Sequence, residues 1–372
     1  MFERTKKLCD SFLEMGVPSF DLIVYKDANC ILRYMGGFSD LEKKLPINGK
    51  ELYNIYSCSK PITITAAMQL WEKGLFSLED KLSDYLPEFA EMFVKTETGI
   101  KPAQNPIRIH HLFEMTAGFS YDLRSPQLLR LREETNGACP TREVARSLAK
   151  EPLLFETGDR YHYSLCHDVL ATLVEVLSGQ LFADYVRDHI FIPLDMQHSN
   201  FLLPMACYDQ VAALYSFDAE LGKPIPRSKV PEHRIGTQHA SGGAGCVSTV
   251  EDYIKFAEAL RSGEKLLKRD TIRLIITDRL SNHQKRTYRP TTHGYGLGMR
   301  APMDGFPYRD YGWGGAAGAF LAIDEVNGIS VFFIQHLLKA PNQGIRAQVY
   351  TSVLEELGLS VTHYCTDSTL TY

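Results

Sequence analysis

The sequence predicts an α+β fold: an antiparallel sheet flanked by helices, built from both chain ends, with an inserted helical subdomain. Three observations predict it. Strand-like runs gather at the two ends of the 372-residue chain, helical periodicity fills the middle, and sheet signal is scarce between positions 60 and 205. Residues 1–60 and 240–372 are therefore expected to form the sheet subdomain and 61–239 a mainly helical insert. The cleft between them is the default binding site.

Taken in order, residues 2–15 carry Leu8, Phe12, Leu13 and Met15 among charges, the spacing of an amphipathic helix. Residues 21–25 and 30–35 flank a turn at Asp27-Ala28-Asn29 and predict a hairpin. A strand over 51–55 leads to a helix over 62–73, ended by Gly74. Ser77-Leu78-Glu79-Asp80 reads as a capping-box-like start of a short segment reaching Leu86-Pro87. Helical periodicity recurs at 107–115, 141–149, 166–178 and 181–190. A strand over 211–217 precedes an irregular stretch holding Gly222, Pro224, Pro226, Pro231 and the cluster Gly242-Gly243-Ala244-Gly245. Thr249, with Asp252 three residues on, caps a helix to about position 260. Strands near 295–300, 307–312, 319–324 and 330–336 and a helix near 346–357 close the chain.

With 44% hydrophobic and 23% charged residues, this is the composition of a soluble globular protein. A net charge of −5 without long runs of one sign argues against nucleic acid or an anionic membrane as partner. A small neutral substrate fits better. The first residues lack an apolar stretch long enough for a signal peptide and no later run could span a membrane, so a cytoplasmic protein is expected. An exported chain with its leader removed stays open. The eight cysteines show no Cys-x-x-Cys spacing and read as free and mostly buried.

The chemistry centres on Tyr56-Ser57-Cys58-Ser59-Lys60-Pro61, between the strand and the helix. There Ser57 stands at or just before a helix N-terminus, where unpaired N–H groups and the helix dipole favour an alkoxide or oxyanion. Lys60, three residues on, shares its face if the turn is helical. Ser-x-x-Lys spacing also occurs at Ser147–Lys150 and Ser262–Lys265, but both of those serines fall at the negative end of a helical run. Only Ser57 has the strand before it, the helix after it and Pro61 in the first turn. An N-cap serine beside a surface lysine is the plain alternative.

A nucleophilic serine needs a base, an acid and an oxyanion hole. No Gly-x-Ser-x-Gly elbow occurs; Gly118-Phe119-Ser120-Tyr121-Asp122 lacks the second glycine. His110-His111-Leu112-Phe113-Glu114 lacks a second helical histidine at ligand spacing, so no metal is expected, and no cofactor. Lys60 and a tyrosine are left as proton carriers. Tyr163, in Tyr161-His162-Tyr163-Ser164, follows a turn at Gly158 and precedes an apolar helix, a place from which a phenol could enter a cleft, though on the residues alone it reads as a packing residue among 19 tyrosines. In Tyr311-Gly312-Trp313-Gly314-Gly315-Ala316-Ala317-Gly318 the glycines mark close backbone approach, by a substrate or at a bulge with a core tryptophan.

In this order and at these intervals, the three pieces resemble the serine β-lactamase and penicillin-binding-protein superfamily, and within it the family VIII carboxylesterases, which share the fold of class C β-lactamases. Residues 109–119, 155–164, 192–196 and 241–249 are each similar to its recurrent segments. The resemblance implies Ser57 as nucleophile, Lys60 and Tyr163 as its proton-transfer partners, and an oxyanion hole from the backbone N–H groups of Ser57 and Ala316. It lays Trp313-Gly314-Gly315 over the Lys-Thr-Gly strand of β-lactamases and implies substrate contacts at Trp313, Gly314, Gly315, Tyr121 and Leu165.

Leu165 stands where β-lactamases have an asparagine, and Trp313 where they have a cation. Lys95-Thr96-Glu97-Thr98-Gly99 imitates the strand motif at the wrong spacing. Losing one charge-assisted hydrogen bond, about 1.5–3 kcal/mol, weakens binding of an anionic lactam by roughly ten- to a hundredfold. Asp195 and Met115 also depart from the family pattern. The expected activity is hydrolysis of small acyl esters through an acyl-enzyme. The alternatives are a β-lactamase, D-amino-acid peptidase, amidase or acyltransferase of the same fold, and a non-catalytic scaffold.

Overall fold

The computed structural model describes residues 1–288, 292–306 and 308–359. In chain order the elements that matter for the site are α1 (Glu3–Glu14), β1 (Ser19–Lys26), β2 (Asn29–Asp40), β3 (Leu45–Pro46), β4 (Tyr53–Asn54) and α2 (Ser59–Glu72). Next come α3 (Cys166–Ser178), β5 (Val247–Ser248), α4 (Val250–Ser262), β6 (Phe320–Asp324), β7 (Ile329–Ile334) and α5 (Gln348–Glu356).

Strands from the two ends of the chain interleave in one sheet of order β6-β7-β1-β2-β3, every neighbouring pair antiparallel. The hairpin β1–β2 turns at Asp27 and Ala28, both at positive φ (48° and 64°), as a two-residue turn that follows the strand twist requires. Side chains then alternate between two cores. Leu22, Val24, Val331 and Phe333 pack with Phe12 of α1 and Val349 and Val353 of α5. Ile23, Phe332 and Ile334 face the other way, where Tyr253 of α4 stacks on Phe332 with ring centroids 4.2 Å apart. Thr5 donates to the Glu356 carboxylate from its backbone (2.9 Å) and its hydroxyl (2.8 Å), so the terminal helices clasp each other on the sheet. The fold is thus α+β, with helices on both faces of a sheet made by both ends.

The central helix is α2. Every side chain from Ser59 to Met68 is buried, because it packs on α3 and α4 carries the sheet behind it. Thr249 caps α4 as its position suggested, its hydroxyl accepting the Asp252 N–H at 3.1 Å. The seven cysteines among the described residues are free, five of them buried. No single helix among those residues is long and apolar enough to cross a membrane.

Several elements differ from expectation. The strand before Ser57 shrinks to Tyr53–Asn54, and α2 starts at Ser59 rather than 62, because a 3-10 turn over Tyr56–Cys58 ends the one and opens the other. The sheet-poor middle contains a hairpin, Phe93–Thr96 with Gly99–Pro102, whose exposed strands carry the Lys95–Gly99 imitation motif. Helices Pro126–Glu134 and Arg269–Ile275 went unpredicted, and 181–190 splits into Phe182–Val186 and a wider turn over Arg187–Phe191. The strand expected at 307–312 reduces to bridges at Tyr311 and Gly312; Pro307 lies outside the described residues.

Candidate active site

Ser57 sits in the middle of the 3-10 turn that feeds α2 and is 3% exposed. The residue before it, Tyr56, is held at φ 49°, a left-handed conformation that costs a non-glycine residue about 1–3 kcal/mol and persists only where its surroundings fix it. They do. Ile55 N–H donates to the Cys246 carbonyl (3.1 Å), Tyr253 Oη to the Cys58 carbonyl (2.6 Å), and Cys246 N–H to Ser59 Oγ (2.9 Å). β4 pairs with β5 immediately beside the turn, so the segment 241–248 is stitched along the entry to α2.

Lys60 is fully buried one helical turn on. Its Nζ lies 3.3 Å from Ser57 Oγ and donates to the Gly243 carbonyl at 2.8 Å. Burial lowers its proton affinity from the usual 10.5 to about 7, while the Asp168 carboxylate pulls the other way. Near neutral pH a large fraction of this amine is therefore free to accept a proton.

Tyr163 stands in the loop before α3. Its phenol donates to Ser57 Oγ at 2.7 Å, and its ring lies 4.4 Å from Lys60 Nζ. The loop is pinned to the 109–119 segment: His162 N–H donates to the Met115 carbonyl (2.8 Å), and Thr157 Oγ1 to the Ala117 carbonyl (3.1 Å). The two sequence segments singled out separately are thus one structural clamp. Tyr121, on the continuation of that clamp, places its ring 5.4 Å from Tyr163 and 5.9 Å from Lys60 Nζ.

Trp313 and the glycines after it run beside β6, with Leu321 N–H donating to the Trp313 carbonyl (2.9 Å) and Gly314 bridging Phe320. The run presses against the Ser57 turn so closely that a Cβ on Gly315 would stand 2.3 Å from the Ile55 carbonyl oxygen. Gly315 N–H is used by the Ala319 carbonyl (2.9 Å), and Ala316 packs against the cluster containing Tyr56. Trp313 itself is 3% exposed; its indole N–H donates to the Tyr163 phenol oxygen at 3.3 Å, with the two rings stacked at 6.0 Å. Leu165 is buried in the main core at the start of α3.

Ser57, Lys60, Tyr163, Trp313 and Tyr121 therefore meet in one place, with the 313–316 segment alongside. Sequence reasoning missed His233, whose ring lies 5.6 Å from Tyr56 and 5.7 Å from Tyr121 and whose burial keeps it neutral, its pKa lowered to about 4. It also missed the Gly243 carbonyl as the partner of Lys60, although the glycine cluster was visible. Chemically, the arrangement offers one hydroxyl with a proton acceptor and a proton donor converging on it from separate elements, inside an aromatic wall.

Three relatives set this geometry in context. The chain is 27% identical to the acyltransferase calJ of Penicillium decumbens, over 77% of this chain and 76% of that one. It is 26% identical to the esterase EstB of Burkholderia gladioli, over 84% of each. Its fold is similar to the solved structure of EstCE1, described as a hydrolase with promiscuous acyltransferase activity, with a TM-score of 0.80, 25% identity and coverage of 94% and 97% of the two chains. Residues 6–353 match the Beta-lactamase family. The chain belongs to that family.

Proposed function

We propose that the protein is a serine hydrolase of small, neutral acyl esters, a carboxylesterase of the family VIII kind, acting through an acyl-enzyme on Ser57. The observation that carries this is the convergence of Lys60 Nζ (3.3 Å) and the Tyr163 phenol (2.7 Å) on Ser57 Oγ. In this reading the site lies where the sheet part of the chain, 1–60 and 240–372, meets the helical part, 61–239.

Lys60 in its neutral form takes the Ser57 proton as Oγ bonds to the ester carbonyl carbon. The carbonyl oxygen becomes an oxyanion facing the N–H groups of Ser57 and Ala316. As the carbon–oxygen bond to the alcohol breaks, the Tyr163 hydroxyl supplies the proton the alkoxide needs and is reprotonated by Lys60. Water then attacks the acyl-enzyme by the same path in reverse, releasing the acid and restoring Ser57. Burial of Trp313 where a β-lactamase has a cation, and its hydrogen bond to Tyr163, support a neutral substrate over an anionic lactam. Acyl transfer to an alcohol in place of water is the second reading, favoured by the likeness to calJ and EstCE1.

Turnover of p-nitrophenyl butyrate and of a chromogenic cephalosporin by wild type and Ser57→Ala tests the proposal. Ester turnover that disappears with Ser57, with little on the cephalosporin, is the expected result. Strong cephalosporin turnover would contradict the substrate class, and a folded Ser57→Ala protein with normal ester turnover would contradict the mechanism.

A further inference from the structure

Lys60 approaches Ser57 from within the protein, and the groups behind it are as ordered as those in front. Asp168, in the first turn of α3, is 2% exposed. Its Oδ1 accepts from Ser241 Oγ at 2.7 Å and faces His239 Nε2 at 3.4 Å. His239 Nδ1 accepts the Ile235 N–H at 3.3 Å, which fixes the ring with Nε2 on the carboxylate side. On the other side, Asp168 Oδ2 lies only 2.8 Å from the point where a Cβ would stand on Gly243, and Lys60 Nζ lies 3.5 Å from that same point. The Gly243 carbonyl is the acceptor that holds Nζ. A residue with a side chain at 243 would be driven into the carboxylate, so glycine there is what lets the acid and the amine close on one stretch of backbone.

We propose that Asp168 is a positioning residue for Lys60: from across Gly243 its carboxylate keeps Nζ seated between the Gly243 carbonyl and the Ser57 hydroxyl, and so governs the pH at which Ser57 becomes acylable. The proposal rests on Ser57 being the nucleophile.

Among the described residues, the other titratable groups facing Lys60 carry no charge that could take this part. From the Ser57 turn comes Cys58, and from α3 Cys166, both thiols pushed up to about 12 by burial. His167 of α3 and His233 of the 231–240 segment are held neutral by burial and by Lys60 itself, with pKa values lowered to about 3 and about 4. Tyr121 is raised by burial and by Asp168, and Tyr163 presents its ring face. Burial also pushes the Asp168 carboxyl up, but His239, Ser241 and Lys60 outweigh it and hold it below the usual carboxylate range. Asp168 is therefore the negative charge at Lys60 over the whole working range of pH.

The test is the pH dependence of Ser57 labelling by a neutral fluorophosphonate, read by intact mass and peptide mapping, in wild type and Asp168→Asn. The asparagine oxygen can still accept from Ser241, so the substitution removes charge more than shape. Without the charge the ammonium form of Lys60 is disfavoured, and the labelling midpoint is expected to move down by about one to two pH units, the usual reach of a neighbouring opposite charge. The plateau rate should fall as well, since a looser and less basic amine is the poorer acceptor. A midpoint that stays or rises in a folded Asp168→Asn protein overturns the proposal, whatever the plateau. Should that variant fail to fold, Ser241→Ala keeps the charge but strips a donor from it, and a midpoint displaced upward is expected; an unmoved one overturns the proposal equally. Absence of any label at Ser57 in the wild type would instead refute the nucleophile on which the proposal rests.

Discussion

Ser57–Lys60 and Ser262–Lys265 share a spacing and nothing else. Ser262 is the last residue of α4; its hydroxyl turns back to the Ala259 carbonyl (3.3 Å), Gly263 ends the helix at φ 65°, and Lys265 is exposed. Ser147–Lys150 repeats the pattern at the end of the helix Thr141–Leu148, again with the lysine in solvent. Each of these serines meets the negative end of the helix dipole and has its lysine turned out into solvent, so neither pair is placed to favour an alkoxide. At Ser57 both signs are reversed. The hydroxyl opens a helix, and burial pulls the lysine to about 7. The difference between the pairs is therefore one of placement: at Ser57 a strand, a helix and a glycine loop bury the lysine.

That contrast can be broken in graded steps. Ser57→Ala is expected to abolish acylation, whereas Ser262→Ala leaves ester turnover unchanged; equal effects in a p-nitrophenyl ester assay would dissolve the distinction. Lys60→Ala and Tyr163→Phe should each cost about 10²–10⁴ in kcat/KM, the usual worth of a positioned proton carrier. A loss below tenfold for Tyr163→Phe would reassign the phenol to packing. The pH dependence of kcat/KM should fall as the pH drops through about 7, because protonated Lys60 cannot accept from Ser57, and stay level across that range in Lys60→Ala. A wild-type limb nearer pH 4 or 10 would exclude Lys60 as the titrating group. The smallest effect is expected for Trp313→Phe, which removes one donor to the Tyr163 oxygen, worth about 0.5–1.5 kcal/mol, or roughly two- to tenfold in rate. A larger loss, confined to KM, would instead place the indole against the substrate.

What could be read from the chain alone follows the range of the interactions involved. The β1–β2 hairpin, the Thr249 cap, α3 and α5 rest on contacts within a few residues, and the sequence shows them. The alternation of Leu22, Ile23 and Val24 between two cores is local as well. The start of α2 was misjudged because nothing in Tyr56-Ser57-Cys58 announces a left-handed tyrosine, a conformation imposed by segments 246–253. The helix Pro126–Glu134 carries one local signal, proline in the first turn after Ser125, set among polar residues that mask its periodicity. Ser57, Lys60 and Tyr163 could be picked out by motif, whereas Asp168, Gly243 and His233 could not. Their meaning is their distance from Lys60 and Tyr121 in space, and no spacing along the chain encodes it. Trp313 was legible as a residue of the site, but its hydrogen bond to Tyr163 was not.

The most direct measurement is rapid-quench kinetics with p-nitrophenyl butyrate, followed by peptide mapping of the quenched protein. A butyryl group on Ser57, formed in step with the first equivalent of p-nitrophenol and absent from Ser57→Ala, is the expected result. Release of p-nitrophenol by the wild type with no adduct at Ser57, or with the acyl group on another residue, would contradict the acyl-enzyme on which every other inference here depends.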